Sequence, residues 1–317
     1  MEGGLRILLV DIDRLKSRRN LFPNLALMKL SAYHKGRGDT VLPLNFLLAE
    51  AEVIYASCMF QENADVLQTL PLEGVRYGGS GFRNWHVVLP SDVEHICPDY
   101  SLYDCKVAMG FTSRGCCRRC PFCIVPEKEG EPKAWASIYE FWRGQEKVVL
   151  LDPNLLAAPN WRQTLEDLIR EGVEVDFNQG LDIRLVTEEA ARLLRKVRYG
   201  RYLRFAWDLM QTEAQVRRGL ETLRRAGIPP SRCMFYMLIG FNTTYEEDLY
   251  RVRVLRGMGA DVFVMAYRSN PYTRAFSSWA NVPSISKIYD FGAYVAWKYH
   301  CNVEELIAES SSHEVAT

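Results

Sequence analysis

The stretch Gly110-Phe111-Thr112-Ser113-Arg114-Gly115-Cys116-Cys117-Arg118-Arg119-Cys120-Pro121-Phe122-Cys123 governs the reading of this chain. Cys116, Cys120 and Cys123 stand at Cys-x3-Cys-x2-Cys spacing when Cys116, rather than its neighbour Cys117, is taken as the first. Three thiolates on one loop can hold three corners of an iron–sulfur cubane and leave the fourth iron without a protein ligand. Such an iron can chelate a small molecule and pass it an electron, whereas a cluster closed by four cysteines mainly transfers electrons. The competing reading is a structural zinc knuckle, which closes with four ligands. Cys117 could supply a fourth, but adjacent side chains strain one tetrahedron, and no second CxxC or Cys/His pair lies downstream. The iron–sulfur reading is preferred. Arg114, Arg118 and Arg119 then offset the anionic thiolates and sulfides; otherwise they are solvated loop charges.

Downstream of this loop, short apolar runs alternate with amphipathic segments. The pattern predicts strands at 147–151, 173–177, 203–207, 233–239 and 262–266, with helices at 161–171, 187–197, 212–226 and 244–258. Thr212 reads as an N-cap and Gly227 as a stop in the left-handed conformation. Repeated strand-then-helix units predict an open or closed (β/α) barrel. Asp152, Asn154, Asn178, Gln179, Asp208 and Asn242 recur just past the strand ends. On a barrel those positions share the rim where active sites are built, although each alone reads as a cap or turn residue.

Upstream, strands are expected at Leu5–Val10, Thr40–Leu44, Val53–Cys58 and Gly74–Tyr77, with a helix at Pro23–Lys35. Residues 1–95 are therefore read as a Rossmann-like parallel-sheet domain, and Pro90–Asp104 as its connection to the rest. The barrel occupies 96–275, and 276–317 forms a helical extension whose tail, Glu309–Thr317, is expected to be disordered. The chain is 317 residues long, 48% hydrophobic and 25% charged, a composition suited to a soluble globular protein. Its formal net charge is zero, so nucleic acid is not indicated as a partner. No apolar run approaches the ~20 residues of a membrane span, and the first residues lack a secretory signal pattern, which points to the cytoplasm. Five scattered cysteines, Cys58, Cys97, Cys105, Cys233 and Cys301, read as small apolar core residues.

Thr112-Ser113-Arg114-Gly115-Cys116-x3-Cys120-Pro121-Phe122-Cys123 resembles the hallmark of the radical S-adenosylmethionine (SAM) superfamily, including the aromatic just before the last cysteine. The downstream strand pattern is similar too, over about residues 105–270. The resemblance implies a partial (β/α)6 TIM-type barrel and a [4Fe–4S] cluster on Cys116, Cys120 and Cys123. It also implies reductive cleavage of SAM to a 5′-deoxyadenosyl radical that acts on an unidentified substrate. SAM would chelate the open iron through its amino and carboxylate groups, and a flavodoxin or ferredoxin would supply electrons. Further contacts follow from the same resemblance. Phe122 would approach adenine, and Asp152 and Asn154 would meet the methionine amino group. Gln179, Arg184 and Asp208 would meet the methionine carboxylate or the ribose, and Gly240 and Met265 would pack on adenine.

An N-terminal Rossmann-like domain beside such a barrel resembles the cobalamin-domain class, which includes many methyltransferases. Tyr77-Gly78-Gly79-Ser80-Gly81-Phe82 is similar to its glycine loop, and 90–94 and 98–103 to its connection to the barrel. Glycine loops also make plain tight turns. The class that ligates cobalt through histidine carries Asp-x-His-x-x-Gly after the first strand. Here Asp11-Ile12-Asp13 is followed by Arg14, Leu15 and Lys16, and the nearest histidine is His34. Cobalamin is accordingly disfavoured, and a degenerate domain that caps or presents substrate is expected. The alternatives are a cobalamin-dependent radical SAM methyltransferase, a non-catalytic iron–sulfur carrier or sensor, and a zinc interaction module. Residues 267–270 and 272–274 either contact substrate or seal the barrel mouth.

Overall fold

The computed structural model describes residues 4–16, 22–47 and 49–314, with side chains as far as Ser310. Ile7, Leu8, Leu9 and Val10 offer no polar face to water, so β1 (Arg6–Asp11) lies inside a sheet with all four side chains fully buried. It pairs in parallel with β2 (Thr40–Val41) on one side and β3 (Val53–Ser57) on the other. Adding β4 (Arg76–Gly78) completes the order β2-β1-β3-β4. The helix Leu25–Gly36, capped by Asn24 Oδ1 accepting from Leu27 N at 3.3 Å, crosses from β1 to β2. A 3-10 helix, Gln61–Thr69, crosses from β3 to β4. The chain leaves β1 in one direction and β3 in the other, which opens a crevice at their C-terminal ends. β2 stops short of the expected Leu44 because a turn through Asn45, at a φ of 59°, takes over.

The remainder contributes β5 (Ala108–Gly110), β6 (Ser113–Arg114), β7 (Lys133–Ala134), β8 (Lys147–Leu150), β9 (Glu174–Phe177), β10 (Leu203–Ala206), β11 (Cys233–Ile239) and β12 (Asp261–Ala266). Two three-stranded parallel sheets, β5-β8-β9 and β10-β11-β12, are joined through single parallel bridges at Val175–Tyr199 and Leu181–Phe205. The protein is thus α/β with several small parallel sheets, and among the described residues no pairing joins β5 to β12. β6 and β7 form an antiparallel pair at the two ends of the cysteine loop. Helices Trp161–Glu171, Glu188–Lys196, Glu213–Arg225 and Tyr245–Gly257 follow β8 to β11 in turn, close to their expected bounds. Gly227 does end its helix, at a φ of 89°. Thr212 does not cap: its hydroxyl donates to Leu209 O at 2.7 Å instead of accepting from the helix.

One apolar core runs under both sheets, from Val148 and Leu150 through Trp207 and Phe235 to Phe276 and Phe291. Within it Arg251 is fully buried. Its guanidinium donates to Trp207 O at 2.8 Å, to Leu238 O at 2.9 Å and to Asp248 Oδ1 at 2.5 Å. Asp248 Oδ2 accepts from the Tyr272 hydroxyl at 2.7 Å. This polar knot ties the strand ends after β10 and β11 to the helices behind them. Tyr272 and fully buried Thr273 belong to the helix Pro271–Ala280 and to this interior, and neither lines the cavity described below.

Leu25 and Met28 of the helix Leu25–Gly36 pack on Met109, Val149 and Leu151, so the N-terminal sheet and the second unit share an apolar seam. The helix Val303–Glu314 carries the chain in order past Glu309, where disorder was expected; residues 315–317 lie outside the described residues. At the open side of β12, the Asn281 amide accepts from Val264 N at 2.7 Å and donates to Val264 O at 2.8 Å. Among the described residues no helix is long and apolar enough to cross a membrane.

Candidate active site

The C-terminal ends of β1, β3 and β4 face those of β8, β9 and β10 across a cavity of about 1540 Å³. A pocket for one small molecule usually measures about 300–1,000 Å³, so this one has room for two.

The cysteine loop enters the cavity on a fixed scaffold. Asp152 Oδ1 accepts from Thr112 Oγ1 at 2.7 Å, Ser113 Oγ at 2.6 Å, Thr112 N at 3.1 Å and Ser113 N at 2.5 Å. Burial pushes this carboxyl up, and those four donors oppose the shift. Gly115 then turns the chain at a φ of 79°, where an added Cβ would lie 2.2 Å from Glu131 O. Only glycine allows the loop to fold back so tightly. Cys116 N donates to Gly130 O at 3.0 Å, and Cys123 N to Cys120 O at 3.0 Å. Cys116, Cys120 and Cys123 line the cavity, whereas Cys117, exposed like Cys123, is not on its wall. Burial raises the Cys120 and Cys123 thiols, and neighbouring thiols and Asp208 add to it. Arg184 works against this at Cys120, as does the Val125 backbone at Cys123. Among the described residues no three His, Cys, Asp or Glu side chains gather closely enough to hold a single metal ion. A cubane spreads its thiolates around a cage rather than drawing them to one point.

Asn154 is 4% exposed and donates through Nδ2 to Cys116 Sγ at 3.3 Å. Its Oδ1 is buried with no hydrogen-bond partner. An orphaned acceptor beside a thiol invites a donor from a ligand. Three thiols on one wall, with this acceptor next to them, fit a three-thiolate cluster carrying a small chelating molecule.

Asp182 organises the adjoining wall, and the sequence reading passed over it. It accepts from Arg118 Nε at 2.8 Å, from Arg184 Nε at 2.6 Å and Nη2 at 3.0 Å, and from Asn154 Nδ2 at 3.4 Å. Burial alone would raise its carboxyl, but Arg184 and Arg118 outweigh burial and hold it below the usual 3.8. The only sequence signal was Asp-x-Arg directly after Gly180-Leu181. A depressed carboxylate stabilises the fold above its unfolded pKa and loses that contribution as pH falls through its folded value. The melting difference between the parent and Asp182→Asn should therefore be constant at neutral pH and shrink below about pH 4. A difference that persists unchanged through the acid limb would contradict it.

Phe122, Gln179, Arg184 and Asp208 also line the cavity. Burial raises the Asp208 carboxyl despite a hydrogen bond from Leu238 N at 2.8 Å. Three expected contacts are not on the wall. Asp152 is engaged entirely in holding the loop. Gly240, at a φ of 72°, lies against the Thr273 side chain, and Met265 on β12 is 38% exposed elsewhere.

In the N-terminal unit, Gly79 has a φ of 108°, and a Cβ there would lie 2.2 Å from Cys58 O. That glycine lets the loop press on the end of β3. Asp11 accepts from the Tyr103 hydroxyl at 2.7 Å. Asp13 accepts from Met59 N at 2.6 Å, Phe60 N at 3.3 Å and Asn63 Nδ2 at 2.7 Å. The glycine loop and both acids are thus engaged by the protein itself. No family model, curated protein or solved structure matches the chain.

Proposed function

We propose that this chain is a radical SAM enzyme, with a [4Fe–4S] cluster on Cys116, Cys120 and Cys123 at the mouth of a partial (β/α)6 barrel formed by β5 and β8–β12. The observation that carries the reading is the sorting of four cysteines within one loop: three line the cavity and the fourth is turned out of it. When bound, the cluster would supply one electron to the sulfonium of SAM, whose cleavage gives a 5′-deoxyadenosyl radical for hydrogen abstraction.

The protein's own part is binding and orientation. Asn154 Oδ1, buried without a partner while its Nδ2 meets Cys116, would accept from an ammonium group. Asp182 holds the Arg118 and Arg184 guanidiniums on the same wall, and their remaining N–H groups suit a carboxylate. Gln179 and Asp208 offer polar contacts to a ribose. A small reducing protein such as a flavodoxin or ferredoxin would deliver the electron. Cobalamin remains disfavoured in this reading, because the glycine loop and Asp13 are already satisfied by the N-terminal unit.

The test is anaerobic reconstitution with iron and sulfide. Reduction in the presence of SAM should release 5′-deoxyadenosine, and the protein should carry the broad visible absorption of an iron–sulfur cluster. Loss of both results would end the proposal; a tightly held corrin spectrum would move it to the cobalamin alternative.

A further inference from the structure

Six Lys and Arg side chains line the cavity: Lys29, Arg76, Arg114, Arg118, Lys128 and Arg184. Four have a carboxylate partner. Lys29 pairs with Glu94 at 2.9 Å and Arg114 with Glu129 at 3.4 Å, while Arg118 and Arg184 share Asp182 at 2.8 and 2.6 Å. Arg76 and Lys128 have no ion pair among the described residues. Arg76 donates to the Tyr55 hydroxyl at 3.4 Å, and Lys128 donates to Ser80 Oγ at 2.8 Å. Both line the same cavity: Arg76 opens β4, and Ser80, which holds Lys128, lies two residues past its end.

The surrounding wall is of a different kind from the cysteine side. Met59, Phe60, Tyr77, Trp85, Val87 and Val88 line it, and Tyr77 and Phe60 are each 47% exposed. Large apolar side chains left half open on a cavity wall mark a binding surface. A lysine amine taken from water without a counter-charge is costly to keep ionised. Burial accordingly pushes Lys128 down, with Glu129 and Glu94 opposing from beyond ion-pair distance and Arg114 adding to the shift. A ligand anion at that point would remove the cost.

We propose that this half of the cavity, at the end of β4, is the substrate's subsite, and that it takes a molecule with a flat apolar body bearing an anionic group, which Lys128 binds with Arg76 on the same wall. The word substrate rests on the function proposed above; the binding does not. The cavity as a whole, about 1540 Å³, exceeds what one small molecule needs.

The experiment is calorimetric titration of the reconstituted protein with 2-naphthoate and its uncharged amide, 2-naphthamide. Naphthoate should bind once per chain and about tenfold more tightly than the amide, as one charge-assisted hydrogen bond provides. Lys128→Met should weaken naphthoate by about tenfold and leave the amide within about twofold. Lys128→Arg should keep naphthoate within about threefold of the parent, which separates lost charge from a damaged fold. Tyr77→Ala should weaken both ligands. Equal binding of naphthoate and amide by the parent, or an unchanged naphthoate affinity in Lys128→Met, overturns the subsite. A parent that favours naphthoate yet cleaves no SAM overturns the function and spares the subsite. The opposite result, SAM cleavage without preference for naphthoate, overturns the subsite alone.

Discussion

Alanine at Cys116, Cys120 or Cys123 is expected to reduce both bound iron and SAM cleavage to background, while Cys117→Ala keeps both near the parent. A cluster held by three thiolates has none to spare, so removing one leaves two corners and a cage that does not survive. The contrast with Cys117 makes the test specific, because the two adjacent cysteines share sequence context and differ in where their side chains go. A zinc knuckle would need Cys117 as its fourth ligand and would lose metal in all four variants. Iron analysis and 5′-deoxyadenosine release on the four proteins, prepared side by side, decide between them. Equal iron in Cys120→Ala and the parent would sink the assignment.

The largest loss of stability is expected from Arg251→Met. Methionine fills much of the space but leaves Asp248 without its cation, and leaves the carbonyls of Trp207 and Leu238 without their donors. Breaking a buried ion pair from one side costs about 3–5 kcal/mol, so the melting temperature should fall on the order of 10 °C. Neutralising the abandoned acid restores part of this. Arg251→Met/Asp248→Asn should melt above Arg251→Met, because the asparagine can still accept from the Tyr272 hydroxyl. A single variant melting within about 2 °C of the parent would show that the pair contributes little.

The downstream strands and helices were legible because each strand is short and either mostly apolar, as in β8 and β11, or alternates apolar with charged residues, as in Glu174-Val175-Asp176-Phe177 of β9. The helices between them carry their apolar residues on one stripe, as Leu165 and Leu168 do in Trp161–Glu171. β5 was not legible. Ala108-Met109-Gly110 is too short and too weakly β-forming to stand out, and it is a strand because β8 pairs with it and Phe141 packs over Gly110. At the site, the cysteines announced themselves by spacing, Asn154, Gln179 and Asp208 by position after a strand, and Arg184 only through the family resemblance. The same positional signal misplaced Asp152, because a carboxylate that meets a ligand and one that pins a loop look alike until their donors are seen. Asp182 was hidden for the converse reason: its importance comes from Arg118, distant in the chain.

The amide of Asn281 stands where another strand's backbone would dock on β12. An uncovered outer strand is an invitation for sideways growth from one molecule to the next. Here a single side chain copies the donor and acceptor of a peptide unit and occupies the position first. One peptide unit of β12 is thus closed by the chain itself, and any strand adding at Val264 would first have to displace Asn281.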